Sequence, residues 1–174
     1  KMIDPPSTPD NSEKAKRVAN AAQVQIEKCL KERRHFLVEA GAGAGKTYSL
    51  IQALSYLLSQ ESDSLMRMNR QVACVTYTNI AREEIEVRTD HHPAVLASTI
   101  HSFFWRIISQ FQGEARNLVL LRPSWRERLK AANLHISDCK KYRVYYSLGI
   151  SGLAQGEIHI SHEAVLDLAR HFIR

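Results

Sequence analysis

Glu39-Ala40-Gly41-Ala42-Gly43-Ala44-Gly45-Lys46-Thr47, led in by Phe36-Leu37-Val38, decides how the rest of this chain is read. An apolar run ends abruptly in three glycines and a Lys-Thr pair. Apolar positions then recur at helical spacing, at Leu50, Ile51, Leu54, Leu57 and Leu58. Strand, glycine loop, helix is the order that a phosphate-binding loop requires. Gly41, Gly43 and Gly45 let the backbone turn so that several N–H groups converge, and the next helix N-terminus adds partial positive charge there. Lys46 is placed to reach the β- and γ-phosphates of a nucleotide, and the Thr47 hydroxyl to hold Mg²⁺; these two are the candidate catalytic residues. The general pattern carries glycine where Ala40 stands, a departure that marks one branch of such loops and leaves the later contacts intact. A plain glycine-rich turn is the simpler alternative. Gly-Lys-Thr opening a helix directly after an apolar run argues against it.

The chain has 174 residues, the size of one ordinary domain, enough to bury roughly 70% of the surface of its unfolded chain. No apolar run approaches the ~20 residues that span a bilayer, and no signal-peptide pattern is present, so no membrane partner is expected. Cys29, Cys74 and Cys139 are odd in number and far apart. They read as reduced thiols of a cytosolic protein. A net charge of +6 suits an anionic partner such as nucleic acid.

Residues 1–12 carry three prolines and read as a flexible lead-in. Ser12 is the expected cap of a helix with the apolar stripe Ala15, Val18, Ala19, Ala22, Ile26, Cys29, Leu30, and Gln25 stands at the edge of that stripe. Residues 59–70 read as a surface connection. Val72-Ala73-Cys74-Val75 predicts a second buried parallel strand, ending in Thr76-Tyr77-Thr78-Asn79 before a helix that runs through Arg88. Val95-Leu96-Ala97 predicts a third, ending in Ser98-Thr99-Ile100-His101-Ser102 before a helix with Phe103, Phe104, Ile107, Ile108 and Phe111 on its core face. The fold class is therefore α/β, a parallel sheet flanked by helices, with the loops 40–47, 76–79 and 98–102 along one edge where such sheets place their ligands. Beyond 112 the pattern changes. Ser124-Trp125-Arg126-Glu127 has the form of a capping box, Tyr142 to Leu148 alternates loosely, Glu157–Ile160 reads as a returning strand, and Ser161 caps a last helix. His91-His92-Pro93 reads as a turn, having no third ligand at sensible spacing.

With those loops in hand, the chain resembles the N-terminal part of UvrD/Rep-like helicases of superfamily 1. Residues 40–47 look like that family's first motif, its leading alanine included. Val75–Asn79 followed by Ala81, Glu84 and Ile85 resembles its motif Ia, with Tyr77 where phenylalanine is usual, and Ser98–Phe103 resembles its Thr-Phe-His-Ser motif. Gln25 stands 21 residues before Lys46, suiting the family's adenine-reading glutamine. The resemblance covers most of residues 13–112 and implies a P-loop NTPase (RecA-like) core there. It implies an inserted subdomain over 113–160 and a helix over 161–174 returning to the core. It implies ATP and Mg²⁺ as cofactors, held by Gln25, residues 40–47 and Tyr48. It also implies single-stranded DNA as partner, with Tyr77 stacking on a base and Thr76, Thr78, Asn79, Thr99 and His101 lining the strand path.

Three readings stay open at this point. Thr76 and Thr78 also suit ordinary strand-end turn chemistry, and His101 also suits a helix cap or a bond to a neighbouring carbonyl. Tyr48 replaces the family's common arginine, and its ring suits stacking on the base or packing. No apolar strand ends in the Asp-Glu pair that completes magnesium binding, and Ile160–Leu166 resembles the helix shortly before that pair. The expectation is a fragment that stops short of its hydrolytic carboxylates and needs the rest of the helicase chain. The whole enzyme is expected to couple ATP hydrolysis to 3′-to-5′ movement on single-stranded DNA and unwinding in the cytoplasm, with nuclease or repair proteins as candidate partners; the fragment alone is expected to be hydrolytically incompetent. A non-catalytic nucleotide-binding module of a larger complex and a P-loop phosphotransferase are the alternatives. Neither explains the motifs at 76–79 and 99–102.

Overall fold

The computed structural model describes residues 11–39, 41, 45–149 and 151–173, with side chains from Lys16 onward. The lead-in up to residue 10, and Ala40, Ala42, Gly43 and Ala44 of the glycine loop, lie outside the described residues. The chain gathers into two compact units, Lys1–Cys74 with Glu83–Ala97, and Val75–Arg82 with Ser98–Arg174. Among the described residues no helix is long and apolar enough to cross a membrane.

In the first unit, helix α1 (Asn11–Lys31) packs on α2 (Lys46–Arg67). Ser12 falls inside the first turn of α1 and not before it. Of the expected stripe, Ile26 is buried while Val18 is 65% exposed, so among the described side chains burial falls on the later turns of α1. Residues 59–67, expected as a surface connection, continue α2. Gln60, Glu61, Leu65, Met66 and Arg67 are good helix formers, and extending an existing helix needs no new nucleus. The helix stops where Asn69 turns left-handed (φ 50). The Arg70 N–H then bonds Leu65 O at 2.8 Å and the Asn69 N–H bonds Met66 O at 3.1 Å, a Schellman ending made without glycine. Arg33 (φ 53) ends α1 in the same way, its neighbour Arg34 bonding Cys29 O.

Strand β1 (Val72–Thr76) leads through helix α3 (Asn79–Arg88) to strand β2 (Val95–Thr99), and the two strands pair. The Val72 N–H bonds Ala94 O, and farther along the Thr76 hydroxyl reaches Ser98 O at 3.5 Å. Both contacts keep the same separation in sequence, the mark of a parallel pair joined by a crossover helix. Ile51, Leu54, Cys74 and Ile85 form one buried cluster in the first unit, where Ile26 and Ala94 are also buried.

The strand expected at Phe36–Val38 is not formed: residues 34–39 are irregular, and Phe36, Leu37 and Val38 are 44%, 82% and 41% exposed. An apolar run signals a tendency to be buried, whereas a strand exists only where a neighbour supplies a hydrogen-bond ladder. Among the described residues no strand runs beside these three.

The second unit holds helices α4 (Ile100–Ile108), α5 (Gln112–Leu120), α6 (Pro123–Ala131) and α7 (His162–Phe172) with a small sheet ordered β3–β5–β4. Strand β3 (Arg143–Tyr146) runs parallel to β5 (Glu157–Ile160), and β4 (Gly152–Ala154) pairs antiparallel with β5. Gln155 (φ 43) and Gly156 (φ 86) form the two-residue turn between β4 and β5, both left-handed as a tight hairpin demands. Ile158 and Ile160 of β5 meet Val165 and Leu168 of α7 in one core with Ile108, Val119, Leu120, Trp125 and Leu129. Each such side chain contributes roughly 1.5–3 kcal/mol by leaving water.

Two expectations shift here. Helix α6 starts one residue before Ser124, with Pro123 in its first turn and no side-chain cap, so the capping box is not made; proline has no N–H to satisfy at that position. Helix α4 ends at Ile108, so Phe111 is not on it but precedes α5, and Ile107 is 40% exposed. The core side of α4 is Phe104, Trp105 and Ile108. Gln112 ties α5 to the sheet: its amide accepts from the Val144 N–H at 2.8 Å and donates to Val144 O at 3.2 Å, standing in for a neighbouring strand.

Candidate functional site

Helix α2 opens at the end of the glycine loop. Gly45 sits before it with φ 78 and ψ 25, a left-handed conformation that a side chain would strain. The helix has no side-chain cap and no acidic residue in its first turn, so its own first turn leaves the partial positive charge of the N-terminus uncompensated. The Lys46 ammonium folds back and donates to Gly41 O at 2.9 Å, closing the loop on itself. Thr47 is half-buried, while Tyr48 is 62% exposed.

Two clefts adjoin this turn. One of about 270 Å³ is lined by Lys46, Ser49, Leu50 and Ala53 of α2 with Ile26, Phe36 and Val38. The other, about 240 Å³, is lined by Ala22, Gln25 and Cys29 of α1 with Phe36, Leu37, Val38 and Glu39. Gln25 and Lys46 thus lie in separate clefts that share Ile26, Phe36 and Val38. Burial holds the Cys74 thiol above its usual range, whereas Cys29 is half-exposed beside Gln25.

The motifs after the other two strands meet within the second unit. Tyr77, Asn79, Thr99, His101 and Ser102 line a cleft of about 280 Å³. Tyr77 is 86% exposed there. The threonines are occupied locally: Thr76 donates to Thr78 O at 3.1 Å, and Thr78 Oγ1 accepts from the Ala81 N–H at 3.2 Å, capping α3. Thr99, nearly buried, caps α4 by accepting from the Ser102 N–H at 3.3 Å, with its hydroxyl 3.0 Å from Ser102 Oγ. Such caps fix the turns on which Tyr77, Asn79 and His101 stand.

Three residues that the sequence did not single out complete the cleft: Tyr146 from β3, Leu148 after it, and His162 at the start of α7. The His101 and His162 rings lie 4.2 Å apart, centroid to centroid, tilted by 55°. The Tyr146 hydroxyl is 3.1 Å from His162 Nε2. Burial, then the nearby His162 charge, hold the His101 imidazole below its ordinary value, and burial pushes the Tyr146 phenol up. No local pattern could have found these residues, because tertiary packing brings them together: α7 packed on α4 carries His162, and strand β3 carries Tyr146.

The UvrD/REP helicase N-terminal domain matches residues 19–155 of this sequence. This chain belongs to that family. Among curated relatives, Gabija protein GajB of Bacillus cereus (strain HuB5-5) is 38% identical over 106 residues, covering 61% of this chain and 15% of GajB. ATP-dependent DNA helicase PcrA of Staphylococcus epidermidis (strain RP62A) is 27% identical over 141 residues, covering 74% of this chain and 18% of PcrA. PcrA of Staphylococcus aureus (strain Mu50) is 28% identical over the same length, with the same coverage. The chain therefore spans less than a fifth of the relatives it matches. No solved structure matches it.

Proposed function

We propose that this chain is the ATP-binding portion of a UvrD/Rep-like DNA helicase, built on a P-loop (RecA-like) core with an inserted subdomain over 113–160 and a helix over 161–174 returning to the core. The observation that carries the reading is the Gly45 turn, with Lys46 folded onto Gly41 O at an uncapped helix N-terminus, in a chain of this family. Those groups fit a nucleotide polyphosphate. Lys46 exchanges the Gly41 carbonyl for phosphate oxygens, and the N-terminus of α2 attracts the same anion. The Thr47 hydroxyl would hold Mg²⁺, which would supply charge compensation for the polyphosphate. Gln25 reads the adenine edge, and the exposed Tyr48 ring stacks on the base.

Single-stranded DNA is the partner in the second unit's cleft. Tyr77 offers an exposed ring for one base, a contact worth ~1–3 kcal/mol and tolerant of sequence. Thr76, Thr78 and Thr99 shape the turns through their local hydrogen bonds, and Asn79 and His101 face the strand. In the whole protein these parts serve ATP-driven, 3′-to-5′ movement and unwinding in the cytoplasm, alongside nuclease or repair proteins. No aspartate of this sequence is followed by glutamate, so the chain by itself binds nucleotide and turns it over negligibly.

The test is titration of the purified chain with a fluorescent ATP analogue and Mg²⁺, beside Lys46→Ala. Loss of the lysine's charged hydrogen bonds is expected to weaken binding ~10-fold or more, with ATP turnover at background in both proteins. Binding indifferent to the substitution, or robust magnesium-dependent turnover, would overturn the reading.

A further inference from the structure

Tyr146 and His162 lie outside the motifs at 40–47, 75–79 and 98–103, yet they line one cleft together with residues of the latter two. We propose that Tyr146 and His162 are part of the nucleic-acid site: with His101 they grip a phosphodiester group of the single strand, next to the base on Tyr77. The proposal rests on the reading of this cleft as a strand-binding surface.

The chemistry is that of an anion held by imidazole. The titratable groups facing the cleft are Tyr77 from the turn after β1, His101 from α4, Tyr146 from β3 and His162 from α7; no carboxylate, lysine or arginine lines it among the described residues. Glu163, next along α7, lines a different cleft with Arg122 and Arg128. Two imidazoles 4.2 Å apart repel when both are protonated, and burial adds to the cost of charging His101. A phosphate oxygen beside the rings reverses that balance, because it favours the charged form of each ring and accepts from either N–H. The Tyr146 hydroxyl contacts His162 at 3.1 Å and 3.3 Å from its two ring nitrogens. It orients the ring and is a second donor for the same anion. Tyr146 is thus both a contact and a positioning residue.

Proton uptake makes the idea measurable. If the bound strand raises the imidazole pKa, affinity must increase as pH falls through the range between the free and bound values, by up to ~10-fold per pH unit for each proton taken up. The experiment is fluorescence anisotropy of labelled oligothymidylate with the purified chain between pH 8 and pH 6. Its arms are wild type, His162→Gln, Tyr146→Phe and Tyr77→Ala, with an abasic oligonucleotide as a further ligand and thermal melts to confirm folding. Wild type is expected to tighten as pH falls. His162→Gln should bind several-fold more weakly at pH 6 and lose most of the pH slope, Tyr146→Phe should weaken binding by a smaller factor, and the abasic strand should keep the slope.

If Tyr77→Ala weakens binding while folded His162→Gln and Tyr146→Phe match wild type at both pH values, the strand reading stands and this inference falls. A slope that vanishes on the abasic strand would show that the imidazoles meet a base and not a phosphodiester, which also overturns it. No binding of oligothymidylate by wild type would remove the strand reading itself, and the inference with it.

Discussion

The two units divide motif and mass unequally. The glycine-loop unit carries the most legible chemistry, yet among the described residues it buries six apolar side chains, Ile26, Ile51, Leu54, Cys74, Ile85 and Ala94. The second unit holds fourteen, drawn largely from residues after 112 that carry no motif. Helix α7 and strand β5 bury Val165, Leu168, Ile158 and Ile160 almost completely, while Phe36, Leu37 and Val38 beside the glycine loop stand open to solvent. Motifs record what a ligand requires, and cores record what folding requires. In this chain the two demands fall on different stretches.

The largest test of that contrast compares one core truncation in each unit. Ile158→Ala removes a wholly buried side chain and should cost ~2–5 kcal/mol, whereas Ile51→Ala, at 8% exposure in a smaller core, should cost less. Both tryptophans, Trp105 and Trp125, lie in the second unit, so tryptophan fluorescence during urea unfolding reads that unit for Ile158→Ala. Hydrogen exchange of α2 amides reads the first for Ile51→Ala. Equal losses would break the contrast.

A smaller effect sharpens it. Gln112→Ala strips the Val144 N–H and C=O of their side-chain partner, and a destabilisation of ~1–3 kcal/mol is expected in the same fluorescence measurement. The smallest concerns the first unit: Arg33→Gly relieves a left-handed residue (φ 53) and should stabilise by about 0.5–1 kcal/mol. A slight rise in the midpoint of the 222 nm circular dichroism transition would register it.

What the sequence made legible follows the same division. Gly-Lys-Thr at 45–47, the helix after each polar loop, β1, β2, β5 and α7 were all readable, because glycine punctuation and apolar periodicity are local signals. The strand at 36–38 was misread because a ladder depends on a neighbour and not on composition. The full reach of α2 was missed because residues 59–70 are polar and variable in character, and its stop at Asn69 uses no glycine. Arg33, Asp90 and Asn133 end other helices in the same left-handed way. For the cleft lined by Tyr77 and His101, the residues near those two were visible as motifs. Tyr146 and His162 were not, because strand β3 and the packing of α7 on α4 carry them there only in the folded chain.

The three thiols described above also differ in what a reagent can reach. Cys74 and Cys139 are buried, and burial pushes both thiols away from the reactive thiolate. Cys29 is half-exposed in the cleft that holds Gln25. The native chain therefore carries its own attachment point for an environment-sensitive dye, one helical turn from the residue assigned to adenine, without any engineered cysteine.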